Sequence, residues 1–225
     1  MIATLRAFVF DAYGTLFDVH SIVELAEELA PRQGAILSQL WRTKQIEYTW
    51  LQSLMLGPGT ARDDFAALTA YALDYAISQL MVPLAGADRQ RLLDGYRRLA
   101  AFPEAAPALA DLAPRPRWIL SNGTLAMLEP LVAASPLARH IDGILSVDAA
   151  GIYKPSPRVY RLAVEQLQLE PREIGFVSSN GWDAAGAKAF GFTTFWVNRL
   201  GMPVERHAPE PDYIIGSLAN IPAME

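Results

Sequence analysis

Short apolar runs along this chain break off at single polar residues. "LRAFVFD" (5–11), "RWILSN" (117–122), "EIGFVSSN" (173–180) and "TTFWVN" (193–198) are continuous apolar stretches ending in Asp, Asn or Ser. "DGILSVD" (142–148) and "YIIGS" (213–217) are weaker versions of the same pattern. Unbroken rather than alternating hydrophobicity is what a strand buried on both faces requires. Between them, "TLAMLEPLVAA" (124–134), "SPRVYRLAVEQLQL" (156–169) and "WDAAGAKAFGF" (182–192) repeat apolar residues at helical spacing. The alternation predicts an α/β fold, a doubly wound parallel sheet of Rossmann-like type with helices on both faces. Ligands in such sheets bind beyond the carboxyl ends of the strands. Asp11, Ser121–Asn122 and Ser178–Asn180 are therefore expected to converge in space.

Residues 17–100 carry a different pattern. "VELAEELA", "AILSQLWRTKQIEYTWLQSLM", "DDFAALTAYALDYAISQL" and "DRQRLLDGYRRLAAF" are all helical in period, and no strand-like run interrupts them. "LGPGT" (56–60) marks a break between two of these helices. The expected organisation is a catalytic core formed by 1–16 and 101–225, with 17–100 as an inserted helical cap.

Composition narrows the function. Hydrophobic residues make up 52% and charged residues 19%, so the chain can fill a core and is not expected to be disordered. A net charge of −5 argues against nucleic acid or an anionic membrane surface as the main partner. No apolar stretch approaches a membrane span, and the apolar run at the N-terminus is too short for a signal peptide. The chain has no cysteine, which excludes disulfides and thiolate chemistry and fits a cytoplasmic location. Three histidines, His20, His140 and His207, are scattered without metal-ligand spacing, so no zinc site is expected.

Candidate chemistry begins at "FDAYGTLFD" (10–18). A lone Asp at the end of a buried strand fits a structural cap as well as a nucleophile. The Gly-Thr that follows Asp11 favours the second reading, because it brings backbone N–H groups and a hydroxyl to hold one carboxylate oxygen. This stretch resembles the first motif of the haloacid dehalogenase superfamily, Asp-x-Asp-x-Thr. "LSNG" (120–123), the Lys-Pro of "GIYKPSPRVY" (151–160) and "FVSSNGWDAAGAKAFG" (176–191) resemble the superfamily's later motifs, in the same order and spacing. The helical insertion corresponds to its cap.

The departures from the pattern are specific. Phosphatases of the superfamily carry a second Asp two residues after the nucleophile, as general acid for a leaving alcohol. Tyr13 stands there. Their fourth motif supplies acidic magnesium ligands, whereas here Ser178-Ser179-Asn180 replaces the first and Asp183 alone remains. Two acids, Asp11 and Asp183, are a poor set for a cation that requires several hard oxygen ligands. Carbon–halogen cleavage needs neither the acid nor the cation, because halide leaves without a proton. The combination resembles the (S)-2-haloacid dehalogenase subfamily, as does the cap segment "LWRTKQIEYTWLQSLM" (40–55) with Arg42.

That resemblance implies a division of labour. Asp11 would be the nucleophile and Thr15 would fix its rotamer. Arg42, Asn122 and Tyr13 would receive the departing halide. Ser121, with nearby backbone N–H groups, would bind the substrate carboxylate. Lys154 would face Asp11 as its cation, with Tyr160 and Ser178 anchoring that Lys. Asn180 and Asp183 would position or deprotonate the hydrolytic water. The substrate pocket would comprise Asp11, Ala12, Tyr13, Arg42, Ser121, Asn122 and Trp182. Short 2-haloalkanoic acids and halide are the implied small-molecule partners, no cofactor or metal is expected, and a homodimer is implied. Two other readings stay open at this point. One is a magnesium phosphatase of the same fold, which needs a carboxylate at position 13. The other is a non-catalytic binding module, which would tolerate loss of Asp11 or Asp183.

Overall fold

The computed structural model describes residues 5–57, 60–206 and 208–221. Pro58 and Gly59 of the predicted break and His207 lie outside the described residues. The six apolar runs form six strands: β1 Ala7–Phe10, β2 Arg117–Ser121, β3 Gly143–Ser146, β4 Ile174–Ser178, β5 Thr193–Val197 and β6 Tyr213–Ile215. They make one parallel sheet in the order β3-β2-β1-β4-β5-β6. The reason lies in β1 and β4, which are buried at every position and so must be covered on both faces. Phe8, Phe10, Phe176 and Phe195 are among the fully buried side chains. Each contributes about 1.5–3 kcal/mol relative to exposure.

The eight helices are α1 Val23–Leu29, α2 Gly34–Met55, α3 Phe65–Leu80, α4 Gly86–Gly95, α5 Ala105–Asp111, α6 Leu125–Ala133, α7 Pro157–Leu167 and α8 Gly181–Phe190. Several begin where the side chains dictate. Asp64 caps α3 by accepting the Ala67 N–H at 2.8 Å, and Thr124 caps α6 by accepting the Met127 N–H at 3.2 Å. Pro157 opens α7, where a missing N–H costs nothing. Two elements differ from the sequence expectation. The last helix of the insertion stops at Gly95 rather than running to Phe102, because the chain then turns to lie beside its own outgoing strand. The short α5 has too little periodicity in "AAPALAD" to be anticipated.

Helices α1–α4 occupy the interval 17–100, with no strand among its described residues. At its base the incoming and outgoing segments run side by side. The Asp18 N–H donates to the Ala100 carbonyl at 2.8 Å, and the Phe102 N–H donates to the Leu16 carbonyl at 3.0 Å. Inside the insertion α2 and α3 pack along each other. Leu37, Trp41, Gln45 and Thr49 of α2 and Phe65, Leu68, Thr69 and Ala72 of α3 are buried.

Strand order reverses direction at β1. The chain steps from β1 to β2 and β3 on one side, then returns to β4 on the other. The crevice at such a switch point is where an open α/β sheet offers a ligand site. Asp11 leaves β1 there, its N–H donating to the Val177 carbonyl of β4 at 2.9 Å.

Candidate active site

The ends of β1, β2 and β4, the segment after β3 that carries Lys154, and helix α2 build the site. After β1 the chain folds into a tight loop in which the Ala12 carbonyl accepts the N–H groups of Leu16 and Phe17, each at 3.0 Å. Gly14 takes a φ of +88°, and a Cβ there would also meet the Ser179 hydroxyl at 3.2 Å, so only glycine suits the position. The loop turns Thr15 back onto Asp11. Its hydroxyl lies 3.1 Å from Asp11 Oδ2 and 3.2 Å from the Ser179 hydroxyl.

Asp11 is buried, and both its oxygens face donors. Oδ1 accepts from Lys154 Nζ at 3.1 Å, and Oδ2 accepts from Asn180 Nδ2 at 2.9 Å. The same Asn180 amide donates to the Tyr13 carbonyl at 3.2 Å, and Arg42 Nη2 lies 3.4 Å from that carbonyl. A hard divalent cation would need these oxygens as ligands. Here they are turned toward an amide, an ammonium and a guanidinium. No group of three or more His, Cys, Asp or Glu suited to a metal occurs among the described residues. The donor set does not fit magnesium.

Lys154 is fully buried between two acids, donating to Asp183 Oδ2 at 2.8 Å as well as to Asp11. Burial works against its charge, but Asp11 and then Asp183 outweigh burial and hold the ammonium pKa above its ordinary value. Asp183 is also fully buried. Burial pushes its pKa up, Lys154 pulls it back, Asp11 pushes it further up, and the result stands above the usual carboxylate range. A carboxylate displaced upward is suited to act as a base.

Tyr160 and Ser178 stand elsewhere than beside the Lys154 ammonium. The Tyr160 hydroxyl donates to Asp183 Oδ1 at 2.8 Å, so it reaches Lys154 only through that carboxylate. Burial and the adjacent Asp183 raise the phenol pKa well above its ordinary value, which keeps it a donor. The Ser178 hydroxyl accepts the Asn180 N–H at 3.1 Å and thereby sets the start of α8. Ser121 and Asn122 end β2. The Ser121 hydroxyl accepts the Gly123 N–H at 3.1 Å, and Asn122 Oδ1 accepts the backbone N–H of Lys154 at 3.0 Å. Asn122 thus fixes the segment that carries the Lys.

The inserted helices supply the remaining wall. Arg42, from α2, donates to Gln45 Oε1 at 2.7 Å and lies 3.5 Å from Asn180 Oδ1. Among the described residues no carboxylate is within ion-pair range of Arg42, whereas Lys154 has two. The Tyr13 ring is buried against Phe65 and Tyr96, with centroids 5.7 and 6.0 Å away. Its hydroxyl is buried without a hydrogen-bond partner, and burial followed by Tyr96 raises its pKa far above the usual phenol. Gly123 makes room for this ring, since a Cβ there would come within 2.8 Å of it.

Trp182 is placed differently from the expectation that put it with Tyr13. Its ring meets Trp50 edge-on at 5.4 Å and lines an apolar groove of about 750 Å³, whose lining includes none of Asp11, Tyr13 and Arg42. The groove that does reach Arg42, Gly14 and Asn180 measures about 350 Å³. Sequence reasoning missed Ser179, Gln45, Phe65 and Tyr96. Ser179 lies inside a recognised motif. Gln45 and Phe65 lie on α2 and α3 and Tyr96 directly follows α4, where nothing in the local pattern separates a site residue from a core residue.

Fold and site together define an α/β protein with the frame of a hydrolase: a buried aspartate, a lysine shared by two carboxylates, and an arginine without a counter-carboxylate beside Asn180. The family model for haloacid dehalogenase-like hydrolases matches residues 5–191. An (S)-2-haloacid dehalogenase from Pseudomonas sp. (strain YL) is 43% identical over 216 residues, covering 95% of this chain and 91% of the relative. A crystal structure of an L-2-haloacid dehalogenase superposes with a TM-score of 0.95 at 44% identity, covering 98% of both chains. The structure of the Xanthobacter autotrophicus L-2-haloacid dehalogenase with chloropropionic acid covalently bound has a TM-score of 0.91 at 39% identity, again covering 98% of both. The chain belongs to the haloacid dehalogenase-like hydrolases, in the group of the (S)-2-haloacid dehalogenases.

Proposed function

We propose that this protein hydrolyses short (S)-2-haloalkanoic acids to (R)-2-hydroxy acids and halide through an ester on Asp11. The observation that carries this reading is the pairing of a buried carboxylate with an arginine that has no counter-carboxylate. The first generates an attacking oxygen, and the second offers positive charge to an anion that forms as the bond breaks.

One Asp11 oxygen attacks C2 of the substrate in line with the carbon–halogen bond. The C–O bond forms, the halide departs with the bonding pair toward Arg42, Asn122 and Tyr13, and the configuration at C2 inverts. Ser121 and the backbone around Ala12 and Gly123 hold the substrate carboxylate. Thr15 and Lys154 orient the nucleophile. Water, deprotonated by Asp183 with Asn180 alongside, then attacks the carboxyl carbon of the ester. The hydroxy acid leaves with its C–O bond intact, and Asp11 keeps one oxygen from water. The interval 17–100 acts as the cap over this reaction, hinged where its two ends run together beside Leu16 and Phe102.

A homodimer is part of this reading. Leu54 and Met55 at the end of α2 are 82% and 68% exposed and offer adjoining apolar side chains to a second copy. Among the described residues no helix is long and apolar enough to cross a membrane. A cytoplasmic location is part of the same proposal, and a chain without cysteine is compatible with it.

The deciding experiment is chloride release from (S)-2-chloropropionate in excess chelator, with Asp11→Asn as control. Chloride from the parent and none from the variant is the expected outcome. A single turnover in ¹⁸O-water should place label in Asp11, and label appearing only in the product would sink the ester route.

A further inference from the structure

What aims Arg42 lies behind it in the insertion. Its Nη1 donates to Gln45 Oε1 at 2.7 Å. Gln45 is fully buried, and its Nε2 donates to Thr69 Oγ1 at 2.6 Å. Thr69 is buried too, and its hydroxyl donates to the Phe65 carbonyl at 2.6 Å. A hydroxyl has one proton. With that proton on Phe65, the Thr69 oxygen can only accept, so it must take the Gln45 NH₂ group. The Gln45 carbonyl is then forced toward Arg42. The opposite amide orientation would set N–H against N–H at Arg42 and oxygen against oxygen at Thr69. The Tyr96 hydroxyl, 3.5 Å from the same Gln45 oxygen, closes the remaining side.

The acceptor chosen is neutral. A carboxylate at position 45 would hold the guanidinium equally well, but it would cancel the charge that an anion needs. We propose that Gln45 and Thr69 are positioning residues for dehalogenation: they fix the direction of the Arg42 guanidinium and leave its full charge for the departing halide. The inference rests on the reading of Arg42 as the halide acceptor.

Thr69→Val keeps the shape of the side chain and removes both hydrogen bonds. Single-turnover halide release from 2-chloropropionate should fall about tenfold or more. The fall should be smaller for the bromo substrate, whose leaving group needs less help. Product inhibition by chloride should weaken by a similar factor. Thr69→Ser, which retains the hydroxyl, should restore all three readings, a rescue that mere packing at this position would not produce. Unchanged leaving-group sensitivity and chloride inhibition in Thr69→Val would overturn the proposal, as would Thr69→Ser behaving like Thr69→Val. Should Thr69→Val fail to fold, Gln45→Glu decides. Its carboxylate should weaken chloride inhibition in the folded enzyme, and unaltered inhibition refutes the role. Arg42→Ala, measured alongside, separates the two levels. If it keeps parental halide release and chloride inhibition, the acceptor reading fails and the relay with it. If it loses both while Thr69→Val loses neither, only the relay fails.

Discussion

The Lys154 ammonium stands 3.1 Å from an oxygen of Asp11 and 2.8 Å from an oxygen of Asp183, so one buried cation serves two buried carboxylates. The cation is strongly favoured in this position, and the acids compete for it. Burial, only partly offset by Lys154 and reinforced by the Asp11 charge, leaves Asp183 less acidic than an ordinary aspartate. In the proposed reaction, the nucleophile of the first step and the base of the second are thereby connected through a single ammonium.

Replacing Lys154 by Met should therefore be costly in two respects. Two carboxylates are left buried without their cation, a loss of about 3–5 kcal/mol by analogy with broken buried pairs. Because the Lys154 pKa is raised in the fold, the stability it supplies is fully present below the ordinary lysine pKa and is lost only as pH rises through the raised value. The gap between parent and variant should be widest near neutral pH and should narrow in acid, where the bare carboxylates take up protons. Urea unfolding across the pH range tests this, and a gap that widens in acid would contradict it.

The raised Asp183 pKa gives a prediction for ester hydrolysis. The base must be ionised, so the acid limb of that step should lie above the ordinary aspartate range. Tyr160 donates to Asp183 and favours its ionised form. Tyr160→Phe should accordingly shift the limb to higher pH, with the plateau rate less affected than the limb. A shift to lower pH in rapid-quench measurements would remove Asp183 as the base.

Much of this arrangement was legible in the sequence, for reasons that differ by element. Strands β1 and β4 are unbroken apolar runs ending in polar residues, so both their existence and the position of Asp11 and Asn180 follow from local pattern. Lys154 was legible because Pro155 and the later Tyr160 place it within a motif. The partners of Tyr160 and Ser178 were not legible, since Tyr160 bonds across 23 residues to Asp183 rather than to the Lys. The cap wall was hidden for the same reason. Phe65 and Tyr96 meet Tyr13 only after four helices have folded over the core, and their spacing reads as ordinary helix packing. Trp182 shows the converse. The family resemblance put it in the substrate pocket, while its ring packs on Trp50 in another groove.

Ser179 should prove a minor support and Arg199 a major one. Ser179 donates to the Gly14 carbonyl at 2.6 Å, but Arg199 Nη1 donates to the same oxygen at 3.1 Å. Ser179→Ala therefore leaves that carbonyl satisfied and should cost about 1 kcal/mol. Arg199 also donates to the Thr15 carbonyl at 3.0 Å, pairs with Glu104 and lies 3.7 Å over the Phe102 ring. Arg199→Ala removes all of these from the nucleophile loop and should destabilise by roughly 2–4 kcal/mol, the range for a lost charged hydrogen bond plus its packing. Thermal denaturation of the two variants should rank them in that order, and equal losses would show that the loop does not depend on Arg199.

Asn180→Asp tests whether the amide and the ammonium stand where a divalent cation would otherwise be needed. The Asn180 amide donates to Asp11 at 2.9 Å and to the Tyr13 carbonyl at 3.2 Å. An aspartate in its place points a charged oxygen at each of these acceptors. Two carboxylates at hydrogen-bond distance cannot both stay ionised, so one proton is shared and the nucleophile is blunted. Halide release near neutral pH should fall by at least about a hundredfold. The same change assembles two carboxylates and a carbonyl into a set of hard oxygens of the kind magnesium prefers. Added magnesium should therefore raise the melting temperature of the variant and leave that of the parent unchanged. Chelator should not reduce chloride release by the parent. Activity of the parent that vanished with chelator and returned with magnesium would mean that the amide and the ammonium do not replace the cation, and the assignment of Asn180 would have to be abandoned.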